Sequence, residues 1–243
     1  MRRSIPLLIT ACVLAASAAL VATSAAGASQ APRGSAQVAK SQQLAVLNHD
    51  TAALSRPQLG ASAAGEVNEV RPITGERTVL PVVATTTVHG AEWLQVLLPG
   101  RPNSHTGWIE ASAVSQTTTD WRIVVDLGAR KVSVYYDGAL TRTFSAVVGK
   151  PSTPTPTGSF FVEETVPLAA DIAGTPFALA LSARSDALAE FEGGPGQIAL
   201  HGITNIGGIP GTAVSHGCVR LETADITWLG AHISSGVPVT ITN

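Results

Sequence analysis

Between Thr118 and Tyr136 the apolar side chains fall on every second position. Trp121, Ile123, Val125 and Leu127 alternate with Arg122, Val124 and Asp126, and after Gly128–Lys131 the alternation resumes at Val132, Val134 and Tyr136. A strand sends successive side chains to opposite faces, so this spacing buries one face of a sheet. Asp137-Gly138 supplies the positive φ that a tight hairpin demands. Leu140–Val148 continues the pattern. Gly149–Gly158 is a loop with three prolines. Ser159–Thr165, Pro176–Leu181, Gln197–His201 and Gly236–Thr242 read as further strands. Thr223 is placed to cap a short helix over Ala224–Leu229, with Asp225 near its positive end. Residues 119–243 are therefore expected to form a mainly β domain with one short helix, able to fold alone.

The preceding stretch has a looser pattern. Thr78–Val88 is rich in Val and Thr, Trp93, Leu94, Val96 and Leu98 suggest a second strand, and Thr106–Ile109 a third beyond the turn at Pro99–Ser104. Residues 65–116 read as a small β-module. The run EWLQVLLPGRPNSHTGWIEASAV resembles bacterial SH3-like modules. Trp93 and Trp108 are expected to fill a small core, with a ligand-binding surface as the alternative. Residues 29–64 are rich in Ala, Ser, Gln and Gly without a sustained period, and are expected to be a flexible linker with a weak helix within Ser41–Leu54.

Met1-Arg2-Arg3, an uncharged apolar stretch from Ile5 to Val21, and Ala26-Gly27-Ala28 have the form of a signal peptide over residues 1–28. An uncleaved anchor or lipidation at Cys12 are the alternatives. Cleavage would remove Arg2 and Arg3 from the 15 basic residues, leaving 13 against 17 acidic and a net charge of −4. No basic run remains for nucleic acid. Cleavage also removes Cys12, one of two cysteines. Cys218 is then an unpaired thiol in an exported, oxidising setting, a liability unless buried or needed.

Cys218 lies within Ser215-His216-Gly217-Cys218-Val219-Arg220, seventeen positions after His201, which ends a strand. A thiol nucleophile needs a base or a positive field, and an imidazole supplies one. His201 and His216 are both candidate bases. An imidazole and the helix start after Thr223 would lower the Cys218 pKa. Glycines at 202, 207, 208, 211 and 217 allow the backbone to approach a substrate and point N–H groups at a developing oxyanion. A zinc site of His201, His216 and Cys218 is the chemical alternative, without a clear fourth ligand.

His-Gly, an interval, and Ser-His-Gly-Cys-Val-Arg together resemble the signature of the L,D-transpeptidase catalytic domain family. RIVVDLGARKVSVYYDGALTRTFSAVVGK resembles its opening strands and TPTPTGSF its proline-rich loop, so the likeness covers residues 119–243. The resemblance implies a β-sandwich catalytic domain and an exported enzyme that makes 3→3 cross-links between peptidoglycan stem peptides. Cys218 would be the nucleophile and His201 the acid/base, oriented by the Gly202 carbonyl. Gly217 and Cys218 N–H groups would serve the oxyanion. Arg220 would hold a substrate carboxylate, and His216 and Ser215 would shape the site. It implies a monomer without metal or organic cofactor, acting on donor and acceptor stems and inhibited by carbapenem-type β-lactams. An L,D-carboxypeptidase using water, or a non-catalytic wall-binding protein, are the alternative functions.

Overall fold

Two β-sheets dominate the computed structural model, which describes residues 38–243. The expected leader over 1–28 lies outside the described residues, as do residues 29–37 of the expected linker. The amino-terminal sheet has seven strands: β1 Gln42–Leu47, β2 Thr51–Leu54, β3 Ala63–Val67, β4 Val79–Val88, β5 Ala91–Leu97, β6 Thr106–Glu110 and β7 Val114–Thr119, in the order β3-β2-β6-β5-β4-β1-β7. Residues 42–54 thus supply two strands, and β3 begins at Ala63, where a linker with a weak helix was expected over 29–64. The reason is nonlocal: β1 pairs on one side with Val79–Pro81 and on the other with Val114–Thr119. Its burial falls on Leu44, Ala45 and Leu47. Burial at the adjacent positions 44 and 45 breaks strict alternation, so the pattern is faint locally. Trp93 is buried in this half.

The second sheet contains β8 Trp121–Asp126, β9 Lys131–Tyr136, β10 Ala139–Ser145, β12 Gly158–Pro167, β13 Phe177–Arg184, β14 Gln197–Gly202, β16 Val219–Leu221 and β17 Pro238–Thr242, ordered β10-β9-β8-β17-β12-β13-β14-β16. β11 Val148–Gly149 pairs separately with β15 Ala213–Ser215. Asp137 and Gly138 both have positive φ, at 49° and 74°, as the hairpin between β9 and β10 requires. Ile123, Val125, Val132 and Val134 meet Leu179, Leu181, Ile198 and Leu200 in one core. Two parts of the sheet therefore enclose that core, as in a sandwich. β12 joins them: Gly158–Phe161 pairs with β17, and Val162–Pro167 pairs with β13, with a register shift between Val162 and Glu164. Such a bend lets one strand serve two layers.

The helix α1 spans Thr223–His232 and buries Ile226 and Leu229 in the same core. Its N-cap is Glu222, without a side-chain cap. Thr223, expected to cap it, instead pairs its hydroxyl with that of Thr204 at 2.7 Å. Asp225 does occupy the first turn.

Alternation along β12 couples the two halves. Phe160 packs into the carboxy-terminal core, while Phe161 packs with Leu47, Leu80 and Ile109 in the amino-terminal one. Beyond it, buried Glu163 pairs with Arg71 and lies 2.9 Å from Arg184 Nη1. The latter is a charge contact without hydrogen-bond alignment. Glu164 accepts from the N–H groups of Ile73 and Thr74 and from the Thr74 hydroxyl. This shared face opposes the expectation that residues 119–243 fold alone.

Candidate active site

Strands β14 and β16 run parallel, with Leu200 beside Val219 and His201 beside Arg220. Leu200 and Val219 point into the core. Alternation turns His201, Arg220 and Cys218, the residue before β16, to the opposite face. Cys218 and His201 are thus diagonal neighbours on adjacent strands. Both line a cleft of about 580 Å³ with Arg220, His216, Gln197, Phe191 and Glu192. Another cavity, of about 260 Å³, lies between Leu59, His89 and Trp93 in the amino-terminal sheet and contains neither residue.

The His201 tautomer follows from one contact. Its Nδ1 lies 2.8 Å from Gly202 O. A carbonyl only accepts, so Nδ1 carries the proton and donates it, leaving Nε2 with the lone pair of a base. Gly174 packs against the back of the ring. Its φ is +88°, and a Cβ there would stand 2.5 Å from Nδ1, so the position needs glycine. The Gly174 carbonyl also accepts from Gly202 N–H at 2.8 Å, which fixes the strand end.

His216 is differently engaged. Its Nε2 lies 3.2 Å from Lys150 Nζ. An ammonium only donates, so this nitrogen's lone pair is occupied. Phe191 stacks on the ring with centroids 5.5 Å apart.

The turn that presents Cys218 is braced from within. Ser215 is fully buried and does not line the cleft. Its hydroxyl donates to Cys218 O at 2.6 Å and accepts from Gly217 N–H at 3.1 Å. The Gly217 N–H, expected at the oxyanion, is therefore already engaged. Thr155 donates to Gly217 O at 2.8 Å and accepts from Gly149 N–H at 2.9 Å. Thr153 donates to Ser215 O at 3.3 Å. Arg220 is buried, gives Nη1 to Gly207 O at 3.2 Å, and keeps an unpartnered Nε.

Burial dominates the electrostatics. It pushes the His201 pKa below the usual histidine value, against the raising effect of the Gly202 carbonyl; Arg220 lowers it further. Cys218 keeps some exposure toward the cleft but is packed on its other sides. Burial pushes its thiol up, Ala199 and Arg220 partly oppose this, and Glu192 adds to it. The expected lowering of the Cys218 pKa is overturned: desolvation outweighs the nearby positive charge. Both directions favour the neutral forms, a thiol and an imidazole, before substrate arrives. Among the described residues no three His, Cys, Asp or Glu side chains converge as metal ligands, so His201, His216 and Cys218 share a cleft without forming a ligand set.

Thr155, Gly174, Phe191 and Glu192 were not singled out as site residues from the sequence. Thr155 carried a signal, since its hydroxyl lies in the proline-rich run already associated with the domain. Gly174 and Phe191 reach the site only through the fold.

The chain is a doubly layered β-protein with a cysteine and a tautomer-fixed histidine facing one cleft. Residues 120–241 match the model of the L,D-transpeptidase catalytic domain. The chain belongs to that family. It is 30% identical over 158 residues to a Bacillus licheniformis protein named as the L,D-transpeptidase YkuD, covering 61% of this chain and 86% of that one. The Bacillus subtilis protein of the same name is 28% identical over 151 residues, covering 60% and 73%. An L,D-transpeptidase from Mycobacterium smegmatis overlays 68% of this chain and 99% of its own, with 18% identity and a TM-score of 0.40.

Proposed function

We propose that this chain is an exported transpeptidase that joins peptidoglycan stem peptides through a Cys218 thioester. The observation that carries the reading is the Nδ1–H bond to Gly202, which leaves His201 Nε2 as a base on the same cleft face as Cys218. As Sγ attacks the carbonyl of the third residue of a tetrapeptide stem, its proton passes to Nε2. Charge develops only during attack, because both groups rest neutral. The C–N bond to the terminal D-Ala then breaks, and the imidazolium returns the proton to the leaving amine. A side-chain amine of a second stem attacks the thioester, loses a proton to His201 and restores the thiol, giving a 3→3 cross-link. The Cys218 N–H is the oxyanion donor that remains once Gly217 is engaged with Ser215. Arg220, which lines the cleft, takes a substrate carboxylate.

The energy comes from the amide exchanged, so the scheme calls for no cofactor. The leader-like residues 1–28 support a reaction outside the membrane. A carbapenem offers a strained acyl group to the same thiol and is expected to acylate it. The test is single-turnover incubation of the exported chain with a tetrapeptide stem, with and without an acceptor amine. Released D-Ala and a thioester mass that Cys218→Ala abolishes support acyl transfer. An acceptor-linked product separates transpeptidation from hydrolysis. Release of D-Ala by the Cys218→Ala variant at the original rate would overturn the reading.

A further inference from the structure

One wall of the cleft is a flap, residues 185–196, between β13 and β14. Its base closes through Ser185 N–H to Gly196 O at 2.8 Å. Its tip is a two-residue turn: Phe191 and Gly194 exchange both backbone hydrogen bonds at 3.0 Å, and Glu192 and Gly193 between them have φ of 50° and 77°. Phe191 and Glu192 face the cleft from this tip. Leu188 and Gly196 line a narrow apolar slot of about 20 Å³ that reaches Cys218 and His216.

Little within the flap itself holds it in place. Apart from its closing bonds, the Ser185 hydroxyl accepts from Ala187 and Leu188 N–H groups. Phe191 at the tip stacks on His216, and the side-chain hydrogen bonds to the flap's backbone from outside it come from the amino-terminal half. Arg101, in the turn between β5 and β6, gives Nη1 to Pro195 O at 2.9 Å, and Nη2 to Ser185 O at 2.7 Å and Leu188 O at 3.0 Å. One planar guanidinium thereby ties both legs of the flap. Two residues on, Asn103 gives Nδ2 to Arg184 O at 2.8 Å and to Asp186 Oδ1 at 2.9 Å, and takes Arg184 N–H at 2.8 Å. Gly196 has φ +67°, and a Cβ there would meet Leu188 O and the Arg101 guanidinium, so the flap closes directly over the arginine.

We infer that Arg101 is a positioning residue for the acyl-transfer cleft: it sets the flap that carries Phe191 and Glu192, so the amino-terminal sheet helps build the substrate site. The inference rests on the Cys218 acyl-transfer reading. It predicts a division between two reactions of one thiol. Iodoacetamide is small and needs only Sγ; a stem peptide needs the wall. With Arg101→Ala in the full chain, acylation by a soluble tetrapeptide stem is expected to fall by on the order of 10²-fold, as misplacement of a binding wall by about an ångström can do. Iodoacetamide labelling of Cys218 is expected to stay at the parent rate or rise, and the thermal melt to remain cooperative. If Arg101→Ala does not fold, Asn103→Ala is put through the same comparison. Stem acylation equal to the parent's would overturn the inference. So would a loss of labelling in proportion to acylation, because that is general damage and not loss of a wall. Failure of the parent chain itself to be acylated would instead strike the proposed function, so the two failures are distinguishable.

Discussion

His201 and His216 sit on one cleft, yet only one has a free lone pair where it matters. The Gly202 contact leaves His201 Nε2 unoccupied, whereas Lys150 engages Nε2 of His216. His201→Ala is therefore expected to lower single-turnover acylation by about 10²–10⁴ while the protein stays folded. His216→Ala should be milder and act on substrate affinity, through loss of its stack with Phe191. Acylation rates and thermal melts of both variants check this; abolition by His216→Ala alone would reverse the roles. The pKa directions add a pH prediction. His201 must be neutral to accept a proton, and its pKa is depressed, so the acid limb of acylation lies below the usual histidine value. By linkage, the neutral ring stabilises the fold fully above the unfolded-chain value, and that contribution is lost as pH falls below it toward the folded value. Cys218 is raised, so alkylation of the free enzyme should be slower than for a cysteine peptide at neutral pH and should climb only above the ordinary thiol range. A labelling midpoint below that of the peptide would refute the burial account. Cys218 and His201 were legible because chemistry restricts their residue types and spacing. Whether Gly217 N–H was free was not legible, since that depends on where the Ser215 hydroxyl turns.

At the level of elements, the site is held by a parallel strand pair and a proline-rich loop. Thr155 bridges them, linking β11 at Gly149 to the Cys218 turn at Gly217. Thr155→Val keeps the shape but leaves the buried Gly217 carbonyl without its partner, at a cost of roughly 1–3 kcal/mol, and frees the part-buried Gly149 N–H. The expected outcome is a lower melting temperature together with slower acylation, because the turn that aims Cys218 loosens. Unchanged melting and acylation would show that the loop is held by other contacts. Strands with strong alternation, such as β8 and β9, were readable from the sequence. Strand β1 was not, because Gln42–Leu47 owes its state to partners more than thirty residues away. The start of α1 was misread for a related reason: Thr223 looked like a local cap, but Thr204 takes its hydroxyl through a tertiary contact.

Across the whole molecule, β12 packs against both cores, with Phe160 in one and Phe161 in the other. Arg71, Glu163 and Arg184 form a buried charge cluster across the junction, and burial pulls the pKa of both arginines down from their usual high values. Arg71→Ala leaves Glu163 with one partner and is expected to destabilise the chain by roughly 3–5 kcal/mol, measured by denaturant unfolding. A fragment of residues 119–243 would uncover Phe161 and strip Glu164 of its donors from Ile73 and Thr74. It is expected to aggregate or unfold, as size-exclusion chromatography and circular dichroism would show. A monomeric, folded fragment as active on small stems as the full chain would overturn this. The face of β12 that carries Phe161 also limits how the chain can be recombined. Transplanting the catalytic half onto an unrelated leader would bring across a phenylalanine and two carboxylates shaped for a neighbour left behind. A successful chimera would have to carry residues 38–119 with it or have that face redesigned, so the two halves are inherited as one part.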